Sequence, residues 1–142
     1  MMQSFALVGK SGTGKSFHSL ELARDNNIEA VIDDGLLISQ SRVIAGHSAK
    51  HEKTRMGSVK CAIFEDPIHA AEIMQAISKN EIQSILVIGT SEKMVHQIAS
   101  RLSLPEFEKI FYIDDIATPE EIEIATKMRN TQGKHIIPVP VF

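Results

Sequence analysis

Tryptophan is missing from the 142 residues, tyrosine occurs once and cysteine once, as Cys61. A single thiol cannot form an internal disulfide, and without a cysteine cluster the sequence offers no structural zinc site; Cys61 reads as a small core residue. Long apolar runs are missing too. Nothing approaches the roughly 20 consecutive apolar residues that a membrane-spanning helix needs. The opening Met1-Met2-Gln3-Ser4-Phe5 passes into a short apolar stretch without a basic leader or cleavage site. A cytoplasmic protein with no membrane partner is the expectation. Excess positive charge is also lacking: the formal net charge is -3, which argues against a surface that coats nucleic acid.

What is present is ordinary globular composition, 43% hydrophobic and 23% charged, in a chain sized for one domain over 1–142. Phe5-Ala6-Leu7-Val8 reads as a strand stopped by Gly9, and Phe17, Leu20 and Ala23 recur at helical spacing from about Lys15 to Arg24. Ile28 to Ile32 predicts a second strand ending at Asp33-Asp34-Gly35. Asp66-Pro67 predicts a helix start and a helix to about Ser78, and Ser84 to Ile88 a strand covered on both faces. Ser91 caps a helix through Leu102 that stops before Pro105, and Lys109 to Ile113 forms a fourth strand. Thr118-Pro119-Glu120-Glu121 is a capping box for a helix up to Gly133, and His135-Ile136-Ile137 opens a fifth strand that Pro138 and Pro140 confine to a sheet edge. Alternating strands and helices predict an α/β fold, a three-layer sandwich around a mainly parallel five-stranded sheet.

Residues 40–60 form a polar interval with Arg42, Lys50, Lys53, Arg55 and Lys60 against one acid, Glu52, and with Gly46 and Gly57 as flexible points. Val59 to Phe64 is ambiguous between strand and helix, and the stripe of Met56, Val59, Lys60, Ile63 and Phe64 favours helix. His47 and His51 are four apart, a spacing that fits a metal on a helix. No third ligand stands beside them, and they read as exposed residues of this segment. His18, His69, His96 and His135 read as ordinary surface or partly buried histidines.

The most specific signal is Gly9-Lys10-Ser11-Gly12-Thr13-Gly14-Lys15-Ser16, followed by Phe17. Glycines at these positions let the backbone curl so that successive amides point at phosphate oxygens, and the following helix adds its positive end. Lys15 supplies a point charge near the β- and γ-phosphates and Ser16 a hydroxyl for Mg²⁺. A chance match in a chain of this size is on the order of one in a few hundred. The predicted strand before the loop and the helix after it are the context its mechanics require.

Through this motif and the α/β alternation the chain resembles the P-loop NTPase superfamily, most nearly its small kinase-like branch. The resemblance implies a P-loop NTPase fold with strand order 2-3-1-4-5, which would put the strands near Ile32 and Ile88 to one side of the loop strand. It implies a nucleoside triphosphate with Mg²⁺. The guanine-reading motif of the GTPase branch is missing; its nearest counterpart, Ser78-Lys79-Asn80-Glu81, departs at both ends, so ATP is favoured. The signature of transporter ATPases is missing as well. One departure concerns catalysis: the third strand, where the family's Walker B acid belongs, ends in Gly89-Thr90-Ser91 without a carboxylate. Thr90 and Ser91 either touch a γ-phosphate or a metal-bound water, or cap the next helix.

Asp33 is then the candidate metal orienter or base, set against a turn-forming role for Asp33 and Asp34; Asp114 and Asp115 after the fourth strand are weighed between the nucleotide and loop solvation. Arg42 and Arg55, with Lys50 and Lys53, suggest a basic lid that stabilises a transferring phosphoryl group, set against a solvated loop or a docking patch for an acidic partner. The expected function is a Mg-ATP-dependent phosphotransferase acting on a small acceptor, or an ATPase. The alternative is a nucleotide-dependent switch that signals to a protein partner with little turnover. Val139 and Phe142 on the bare last strand suggest either a partner surface, such as self-association, or a piece of a larger protein.

Overall fold

The computed structural model describes residues 2–10, 15–40, 42–49 and 52–116. In chain order the elements are β1 (Gln3–Val8), α1 (Lys15–Asp25), β2 (Ala30–Asp33), β3 (Leu36–Ser39), β4 (Arg42–Gly46), α2 (Arg55–Ala62), α3 (Pro67–Lys79), β5 (Ser84–Gly89), α4 (Glu92–Arg101), β6 (Phe107–Tyr112) and the single turn α5 (Ile113–Ile116). The six strands form one sheet in the order β4-β3-β2-β5-β1-β6. The helix predicted from Thr118 and the strand from His135 lie outside the described residues, as do Lys50, His51, Val139 and Phe142.

The sheet is mixed, not mainly parallel. β2, β5, β1 and β6 run parallel to one another, whereas β3 is antiparallel to both β2 and β4. Of the two extra strands, β3 lies just before the stretch predicted as a polar, lid-like interval and β4 lies within it. Asp33 pairs with Leu36 around the two-residue turn Asp34-Gly35, whose φ angles of 54° and 86° are both positive. That is the mirror-image turn that matches the right-handed twist of hairpin strands. Leu37 on β3 is fully buried, and Ala45 on β4 packs on the same core, so the segment is anchored by its apolar residues while its charges face out. Gly46, predicted as a flexible point, is fixed: its φ is 92°, a Cβ there would strike the Gly35 carbonyl oxygen, and its amide donates to Glu72 Oε2 at 2.6 Å.

Side chains alternate across the sheet with the strand period of two. Leu7, Val31, Leu86 and Ile88 face α1 and pack with Leu22 and Ala23. Ala6, Val8, Ile32, Ile85 and Val87 face the other way, onto Ile73 and Ile77 of α3 and Val95 and Ile98 of α4. Helices therefore cover both faces, and β5 is buried along its whole length. The inner stripe of α1 is His18, Ser19, Leu22 and Ala23, while Leu20, placed by the sequence on the apolar face, is half exposed. The helix starts are those the sequence predicts: Asp66 accepts from the Ile68 amide at 2.9 Å with Pro67 in the first turn, and Ser91 accepts from the Met94 amide at 3.1 Å.

Candidate functional site

Four parallel strands bring their carboxyl ends to one edge, the edge where ligands settle in open α/β sheets. β1 leaves the sheet there at Gly9, whose amide donates to the Gly89 carbonyl at 3.2 Å, so the chain enters the loop still tied to β5. Ser11, Gly12, Thr13 and Gly14 lie outside the described residues, as do the side chains of Ser16 and Phe17. On the far side of the loop, Lys15 is the first residue of α1. Its ammonium crosses back to the start of the loop, where Nζ donates to the Lys10 carbonyl at 2.8 Å. The start of an 11-residue helix and a lysine ammonium bonded to the Lys10 carbonyl thus flank the glycine-rich segment.

Asp33 ends β2, two strands from β1 in the order β2-β5-β1. At the usual strand spacing that puts it about 10 Å across the edge from the loop, a separation that suits a carboxylate acting through metal-bound water. Asp34 serves the turn instead. Its Oδ2 accepts from the Ser48 hydroxyl at 2.6 Å and its carbonyl from the Ala49 amide at 2.9 Å.

The two candidate arginines are not brought together. Arg42 pairs with Ser39 at the amino end of β4, level with Ala30 at the start of β2. It therefore stands at the edge opposite the loop and four strands away, about 20 Å across the sheet. This removes it from phosphoryl chemistry. The reason is the hairpin itself, which reverses the chain and carries Arg42 away from the edge that Asp33 occupies. Arg55 opens α2, exposed, behind its cap Thr54. The described part of the basic segment is an edge strand, β4, and a helix, α2.

Beyond β5, Ser91 is engaged in capping α4, and both the amide and hydroxyl of Thr90 point to Met94 Sδ at 3.4 Å. A carboxylate does follow one residue later. Glu92 Oε1 accepts from the Tyr112 hydroxyl at 2.7 Å, and Tyr112 is paired with Val8, the last residue of β1. The contact spans from the β5 side of β1 to the β6 side. The hydrogen bond to Glu92 pushes the Tyr112 phenol above its ordinary value, with Asp115 adding repulsion. Asp114 and Asp115 sit in α5 directly after β6, exposed. Sequence reasoning missed Glu92 because it sits past the strand end, inside the capping turn; the signal available was an acid in the first turn of α4.

Among the described residues no helix is long and apolar enough to cross a membrane. No protein-family model matches the chain, and comparison with curated proteins and with solved structures returns no match.

Proposed function

We propose that the chain binds Mg-ATP through Gly9 to Ser16 and uses it either to phosphorylate a small acceptor or to hydrolyse it. The observation that carries the reading is the order β1, glycine-rich segment, α1, with the Lys15 ammonium reaching back to the Lys10 carbonyl at 2.8 Å. Loop amides and the α1 terminus would bind the phosphates, Lys15 would hold the β- and γ-oxygens, and the Ser16 hydroxyl with Asp33 would hold the metal. Bound Mg²⁺ would neutralise charge on the triphosphate. Of the two candidate arginines, only Arg55 stays in the proposal. The order β2-β5-β1-β6 supports the same reading, since the strands ending at Asp33 and Gly89 lie to one side of the loop strand. A cytoplasmic site of action, where ATP is supplied, belongs to the proposal.

A second reading has its own support. β5 ends without a carboxylate, and Ser91 is taken up by capping, so a nucleotide-dependent switch with little turnover is the alternative. Calorimetry with Mg-ATP and Mg-GTP tests the common core: saturable ATP binding that Lys15→Ala abolishes is expected, and unchanged ATP affinity in that variant would sink the proposal. ADP release, alone and with a panel of small hydroxyl acceptors, then separates enzyme from switch.

A further inference from the structure

Around the Asp34-Gly35 turn, three side chains from separate elements meet: His47 just after β4, Cys61 in the last turn of α2 and His69 in the first turn of α3. One ligand atom from each lies within 4.8 Å of the other two. His69 is 2% exposed. Its Nε2 lies 2.8 Å from the Gly35 carbonyl, an oxygen that can only accept, so the ring proton is on Nε2. The neutral ring then keeps a lone pair on Nδ1, and among the described residues that buried atom has no hydrogen-bond partner. A histidine held by one nitrogen on a backbone carbonyl, with the other bare and buried, is the arrangement that metal-ligating histidines show.

We propose that His47, Cys61 and His69 bind one Zn²⁺ per chain, through the Cys61 sulfur, His69 Nδ1 and a ring nitrogen of His47. One thiolate and two imidazoles are a donor set that zinc favours, and three protein ligands leave a fourth position for water. On binding, the Cys61 S–H bond breaks, its proton passes to solvent and a Zn–S bond forms. The Zn–N and Zn–S lengths of such sites, about 2.0 and 2.3 Å, bring ligand atoms to roughly 3.5 Å from one another. With the ligand atoms already within 4.8 Å of one another, the set need close by no more than about 1.3 Å. His47 is exposed and stacked on His69 at 4.1 Å between ring centroids, so a rotation of its side chain supplies the movement.

The surroundings suit a cation. Glu52 and Asp34 add to burial in holding the Cys61 thiol above its ordinary value, and the same negative potential that disfavours a thiolate alone favours a dication beside it. The close approach is possible because residue 35 has no side chain: a Cβ there would lie 3.2 Å from both Cys61 Sγ and His69 Cε1.

The test is a Co²⁺ titration of the chelator-stripped full chain, followed by displacement with Zn²⁺. The expected result is saturation at one equivalent, with the absorption bands of tetrahedral cobalt and a thiolate-to-cobalt charge-transfer band, all lost when Zn²⁺ is added. Cys61→Ser should remove the charge-transfer band. His47→Gln, on an exposed ring whose loss leaves the core intact, should weaken binding by more than the 10- to 100-fold typical of outer-shell changes. Lys15→Ala, remote from these ligands, should bind cobalt as the parent does, so that failure of the nucleotide reading leaves this one standing. Binding without the charge-transfer band, or parent-like affinity in both Cys61→Ser and His47→Gln, would overturn the proposal.

Discussion

Tyr112 and Glu92 face each other across the end of β1, and the phenol is raised chiefly by the hydrogen bond it donates. Glu92→Gln removes the charge that opposes ionisation, so the phenol should titrate closer to its ordinary value of 10.0. The chain has one tyrosine and no tryptophan, so phenolate absorbance reads this residue alone; an unchanged or higher midpoint would refute the assignment. The linkage has a definite sign. A phenol raised in the folded state favours folding below its unfolded pKa, and that contribution fades as pH climbs through the folded value. Gly46 is a residue with one permitted identity. Gly46→Ala places a side chain at φ 92° against the Gly35 carbonyl, and urea denaturation should register a loss of at least about 1–3 kcal/mol.

At the scale of elements, legibility followed local chemistry. The starts of α3 and α4 could be read directly, because a capping side chain at Asp66 or Ser91 acts within three residues of itself. Ser91→Ala should cost about 1 kcal/mol in thermal or urea unfolding; a neutral result would mean that the Met94 amide finds another acceptor. The hairpins that add β3 and β4 were not read, although Asp34-Gly35 between apolar stretches carries the signal of the first, β2-β3. Charge density from Arg42 to Lys60 masked Ala45, which packs on the core beside Leu37 of the preceding strand. The histidine–cysteine cluster had no sequence signature at all. His47, Cys61 and His69 are spaced 14 and 8 apart with no helix or strand in common, and only the turn at Gly35 brings them together.

For the whole molecule, the sequence carried the α/β class and the covered central strand, since a continuous apolar run such as Ile85 to Ile88 must be buried on both faces. The antiparallel direction of β3 follows from the two-residue turn Asp34-Gly35, a signal obscured because Leu36, Leu37 and Ile38 lead straight into a polar interval. Leu86 is fully buried between β1, β2 and α1. Leu86→Ala should therefore destabilise the fold by about 2–5 kcal/mol, measured as a lower urea midpoint at unchanged slope. A loss under about 1 kcal/mol would mean that this core is not packed as described.

The position of β1 also sets a timetable. Gln3 pairs with Ser84, and Ser4 with Ile85, so the strand that begins the sheet waits for some 80 further residues before its central neighbour exists. At about 5–20 residues per second of synthesis the delay is roughly 4–16 s. Through that interval Phe5, Ala6, Leu7 and Val8 have no partner on the β5 side, whereas β2, β3 and β4 can pair as soon as they emerge. On the ribosome, then, the hairpin that departs from a parallel sheet is the part able to form first, and the carboxyl end of β1 is among the last to be framed.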